Sequence, residues 1–154
     1  MSLADFTDRV NLSNTSTILT RESYAIIIEE VDTDSFTGET LTVDLGSVDD
    51  ALKLRNNIEE SALKKEAGTN SSFQGRFTAT VRVPQSIFND DKLNSDKKQR
   101  LSYSVFVRGS LFLNQNALQQ SIIVGVRVNG TDMLQNPITV YLQRQEVIKL
   151  VIKF

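Results

Sequence analysis

A mainly β fold, an antiparallel β-sandwich with one lateral amphipathic helix, is what this chain predicts. Residues 77–88 (FTATVRVPQSIF), 101–112 (LSYSVFVRGSLF) and 122–143 (IIVGVRVNGTDMLQNPITVYLQ) are three apolar, strand-like runs. Through Thr78, Ala79, Thr80, Val81, Arg82 and Val83, polar and apolar residues alternate, which gives one wet and one buried face. Pro84 then ends the ladder, because it has no N–H to donate.

The remaining elements follow in chain order. Residues 1–23 are polar and rich in Ser, Thr and Asn, and read as a linker or the end of a preceding unit. The sandwich itself is expected over residues 24–154. Residues 24–31 (YAIIIEEV) suit a buried strand, residues 32–38 a turn, and residues 39–45 a second strand with Leu41, Val43 and Leu45 on one face.

Between residues 47 and 68 the period changes. Ser47 and Asp50 resemble a capping arrangement, Leu54, Ile58 and Ala62 recur at four-residue spacing, and Gly68 is placed to end a helix in the left-handed region. An amphipathic helical insert is therefore expected over 47–68. Residues 69–75 read as a loop, and residues 89–100 (NDDKLNSDKKQR) as a solvated connector. Asn129-Gly130 favours a tight turn ahead of a strand at 138–142. Residues 147–154 alternate again, with Ile148, Leu150, Ile152 and Phe154 on one face and Val147, Lys149, Val151 and Lys153 on the other. This tail is expected to pair beside residues 138–142.

Composition excludes several functions. At 154 residues the chain is one domain able to bury a core without staples, and a net charge of -2 carries no polyanion-binding signature, so nucleic acid is not an expected partner. Cysteine is absent, which removes disulfides and thiolate metal sites; histidine is absent too, which removes the usual general base and metal ligand. The expectation is a non-enzyme without cofactor or metal. No apolar run reaches about 18 residues, so direct membrane insertion is not expected. The start, MSLADFTD, is acidic where a signal peptide needs a basic end and an apolar stretch.

The remaining motifs have ordinary readings. Asp32-Thr33-Asp34-Ser35 opens like a calcium loop, but Phe36 stands where an oxygen ligand belongs and Thr37 where the turn requires Gly, leaving an acidic turn. Asp49/Asp50 and Asp90/Asp91 read as helix-start and solvated acids, and no Gly-x-Ser-x-Gly occurs. Sequons place candidate N-glycosylation at Asn11, Asn14, Asn70 and Asn129, where composition alone gives roughly two such triplets. That excess is small.

Three of these runs also carry a family resemblance by their order. In residues 81–88 a strand ends at Pro84 and the apolar pair Ile87-Phe88 follows; residues 101–112 run from an aromatic-bearing strand through a small polar turn to Leu111-Phe112; residues 124–143 set a strand, then Leu134-Gln135-Asn136-Pro137-Ile138, then another strand. Together they resemble subdomain B of the GAIN domain, the juxtamembrane β-sandwich of adhesion G-protein-coupled receptors. Coverage is good from residue 77, weaker over 24–45 and absent over 47–68.

The resemblance implies a non-enzymatic extracellular scaffold that supports a proteolysis-site strand and couples adhesion to transmembrane signalling. Its partners would be the transmembrane portion of a parent receptor and extracellular protein or glycan ligands, at the outer face of the plasma membrane. Pro84, Phe88, Leu111, Phe112, Leu134, Pro137 and Ile138 would be its structural positions. The family continues into a cleavage motif with Cys, Trp and His-Leu-Thr or His-Leu-Ser, whereas this chain lacks His, Cys and Trp and runs into Arg144-Gln145-Glu146. Self-cleavage and a tethered agonist are accordingly not carried over. The alternative is an unrelated extracellular β-sandwich that binds protein or glycan through its loops.

Overall fold

The computed structural model describes residues 2–12, 15–21, 24–44, 58–69, 78–88, 97–107, 122–128, 137–143 and 147–150. Helix α1 (Leu3–Arg9) starts at a capping box: the Asp5 N–H donates to Ser2 Oγ at 3.1 Å, and the Ser2 N–H donates back to Asp5 Oδ2 at 3.1 Å. The Ser2 hydrogen bonds hold the Asp5 carboxyl below its ordinary pKa. Nine strands follow among the described residues: β1 (Ser16–Thr20), β2 (Tyr24–Asp32), β3 (Glu39–Asp44), β4 (Leu63–Ala67), β5 (Thr78–Val83), β6 (Lys98–Val107), β7 (Ile122–Val128), β8 (Thr139–Gln143) and β9 (Val147–Leu150).

The strands form two sheets, and every pairing is antiparallel. One sheet has the order β1-β2-β6-β7 and the other β4-β3-β5-β8-β9. Side chains of alternate residues meet between them. Ala25 and Ile27, with Leu101, Tyr103 and Val105 and with Val124, Val126 and Val128, come from the first sheet; Leu41, Val43, Ala79, Val81, Val83, Ile138 and Val140 come from the second. This core is the expected sandwich.

Two expectations are corrected. The first 23 residues hold α1 and β1, with β1 paired to β2 from Ser16↔Glu29 to Thr20↔Ala25. The helix is only seven residues long, too short to show a period, and the β-branched Thr17, Ile18 and Thr20 of β1 were masked by flanking Ser and Asn. Within the expected insert, Glu60–Ala62 is a 3-10 turn and Leu63–Ala67 is strand β4, paired with β3. Leu63 is buried while Lys64, Lys65 and Glu66 are exposed, the charged composition of an edge strand. Gly68 does have positive φ, at 83°, but it closes a strand pair: its N–H donates to Gly38 O at 2.8 Å. Residues 47–57 of that insert lie outside the described residues, as do the loop at 70–75 and the Asn129-Gly130 turn.

The expected pairing of the tail is present over Val147–Leu150, while residues 151–154 lie outside the described residues. β9 runs antiparallel to β8, with Val140↔Leu150 and Gln143↔Val147, and so becomes the edge of the second sheet.

Candidate functional site

Polar groups enter the sandwich core at one end. Glu29 continues the inward face of β2 after Ala25 and Ile27, and Glu39 begins the inward face of β3 ahead of Leu41 and Val43. Tyr103, opposite Ile27 on β6, donates from its hydroxyl to Glu39 Oε1 at 2.7 Å, across the two sheets. Lys65 of β4 crosses in the same way, and its ammonium pairs with Glu29 Oε2.

Burial sets the protonation of this group. Glu29 is only 6% exposed, and its Oε1 is buried with no donor among the described residues. Loss of solvation pushes the Glu39 carboxyl up to about 7, and the neighbouring Glu29 carboxyl acts in the same direction; Tyr103 and Lys65 oppose them. The Tyr103 hydroxyl is raised well above its usual range by burial and by the adjacent Glu39 and Glu29 carboxylates. The sequence signal for this cluster was parity, because Glu29 and Glu39 both fall on apolar faces.

A second polar assembly lies on the opposite face of the first sheet. The Arg100 guanidinium of β6 donates through Nη1 to the carbonyls of Thr7, Asp8 and Val10 at 3.1, 2.8 and 3.0 Å, which are orphan acceptors at the end of α1. Arg127 of β7 pairs with Asp8, Nη2 to Oδ2, at 2.8 Å. Two adjacent strands thus fasten the helix. Arg100 also lines a shallow groove with Asn11, Leu12, Thr15 and Glu30.

The positions marked by sequence fall in separate places. Pro84 follows β5 and its carbonyl accepts from the Ile87 N–H at 3.1 Å, turning the chain so that Ile87 and Phe88 enter the core. Phe88 meets Phe36 edge-to-face, with ring centroids 5.0 Å apart. Phe36 is thus a core residue, and the preceding acidic turn closes on itself, with the Asp34 N–H donating to Asp32 Oδ1 at 2.9 Å. Pro137 is exposed and Ile138 is buried, both immediately ahead of β8. Asn11 is exposed just beyond α1. Asn14, Asn70, Asn129, Leu111, Phe112 and Leu134 lie outside the described residues.

No helix among the described residues is long and apolar enough to cross a membrane. No family model matches the chain, and no curated protein matches it. Among solved structures, 92% of the chain superposes on part of the full extracellular region of zebrafish Gpr126/Adgrg6, with a TM-score of 0.62 and 15% sequence identity. The chain spans 18% of the length of that structure. At this identity the likeness is one of fold: this β-sandwich has the architecture of a segment within an adhesion-receptor extracellular region.

Proposed function

We propose that the chain is a non-enzymatic extracellular scaffold module of an adhesion-type receptor, similar to subdomain B of a GAIN domain. In this reading it joins ligand-binding parts of the parent protein to a transmembrane portion. The observation that carries it is the superposition of 92% of the chain on part of the extracellular region of zebrafish Gpr126/Adgrg6. The order of Pro84, Ile87-Phe88 and Pro137-Ile138 around the strands adds support, since these are the positions the resemblance marks. The absence of His and Cys from the sequence supports a role without catalysis.

Strand β9 fits the same role. It pairs along β8, the strand after which the resembling family continues into its cleavage motif, and Gln143-Arg144-Gln145 offers neither a base nor a hydroxyl nucleophile at that point. The proposed module therefore holds its last strand as part of an uncut chain. An antibody raised against this chain tests the proposal. It should label intact, unpermeabilised cells and detect a polypeptide that stays with membranes after an alkaline wash. A signal confined to the cytosol would overturn the reading, and a freely secreted protein without a membrane-retained form would favour an unrelated extracellular sandwich.

A further inference from the structure

We propose that Glu29 and Glu39 share one proton across the gap between the sheets, so that the seating of β3 and β4 against β2 and β6 is a pH-sensitive switch. The geometry leaves one hydrogen missing. Tyr103 supplies a donor to Glu39 Oε1 and Lys65 supplies one to Glu29 Oε2, while Glu29 Oε1 is buried without one among the described residues. A protonated Glu39 carboxyl provides that donor.

Charge counting points the same way. Among the described residues, the ionisable groups that act on Glu39 are Glu29 from β2, Lys65 from β4 and Tyr103 from β6. The neighbouring strands β5 and β7 bring Val81, Val83, Val126 and Val128 to the core. Two ionised carboxylates would thus face a single ammonium in a poorly solvated space, and one shared proton makes the cluster neutral.

The chain has no histidine and no cysteine, so this pair replaces the side chains that ordinarily respond near neutral pH. The Glu39 titration near 7 lies above the ordinary carboxyl value of 4.5. Between those values the folded state holds one more proton than the unfolded chain, so stability from the pair is complete at low pH and is lost as pH rises through about 7. Above that range the two sheets are held together less tightly at this end.

The test is equilibrium unfolding from about pH 5.5 to 8.5, comparing the native chain with Glu39→Gln. The native unfolding constant should rise with pH by at most about tenfold per unit, the slope one proton gives. The variant's amide donates permanently, so its profile over this range should flatten. The α-amino group persists in both proteins and cancels. Carbon-13 NMR of the Glu39 carboxyl gives an independent reading: titration near 7 is expected, moving higher in Tyr103→Phe, which removes a hydrogen bond favouring the charged form. A Glu39 titration near the ordinary value, or parallel pH profiles for native and Glu39→Gln chains, would overturn the proposal. If Glu39→Gln does not fold, the NMR titrations of the native chain and Tyr103→Phe decide it.

Discussion

Arg127 and Asp8, 119 positions apart, form a 2.8 Å ion pair that ties strand β7 to helix α1. With Arg100 bonded to three carbonyls at the same helix end, the pair makes the N-terminal segment part of the folded body. The two arginines do not contribute equally. The Arg127 and Asp8 side chains are about one-third exposed, which limits the ion pair, whereas Arg100 satisfies carbonyls that the helix itself cannot.

Arg100→Ala should therefore destabilise the protein by about 1–3 kcal/mol, and Arg127→Ala by less than about 1 kcal/mol, in urea melts. Amide exchange at the end of α1 should accelerate in Arg100→Ala. Equal losses in the two variants, or unchanged exchange, would show that α1 is held by other contacts.

Ending the chain after Gln143 removes β9 and leaves β8 with an unpaired edge. The unfolding midpoint should fall and the shortened protein should self-associate, as seen by light scattering. An unchanged midpoint in a monodisperse sample would show that β9 adds nothing to the second sheet.

Two glycines with positive φ should respond differently to alanine. At Gly68, with φ of 83°, a Cβ would meet nothing within 4 Å, so Gly68→Ala should cost about 1–2 kcal/mol, the left-handed penalty alone. At Gly38, with φ of 90°, it would lie 3.1 Å from Val83 O and 3.3 Å from the Gln85 nitrogen. Gly38→Ala should be clearly the worse of the two in thermal melts, because two of its three near neighbours are backbone atoms and only the third, Thr69 Cγ2 at 3.3 Å, belongs to a side chain.

Phe88→Ala should cost about 3–5 kcal/mol, as loss of a buried aromatic side chain does. A double-mutant cycle with Phe36→Ala should recover about 0.5–1.5 kcal/mol of coupling for their edge-to-face contact. Additivity of the two substitutions would remove that contact from the account.

Much of the sandwich was legible because β-strands have a period of two. Ala79, Val81 and Val83 face the core as the alternation required, and β9 lies beside β8 as its own alternation suggested. The misses have physical causes. Leu54, Ile58 and Ala62 repeated at a helical spacing, yet the following Leu63–Ala67 is an edge strand with one buried residue, a pattern that carries almost no period. α1 was hidden by its length, and the arginines that hold it are remote in sequence. Glu29 lay within the run 24–31 read as a buried strand without a role of its own, although its parity with Ala25 and Ile27 already placed it inside.

The first and last described strands, β1 and β9, are edge strands of different sheets. Tension applied between them must cross from one sheet to the other, since neither hydrogen-bond ladder alone connects the two. The apolar interface resists such shear without directional bonds, whereas Tyr103–Glu39 and Lys65–Glu29 are polar ties that span it. The proton held by this cluster would then set not only how stable the sandwich is at rest but how much load it withstands before its sheets slide apart.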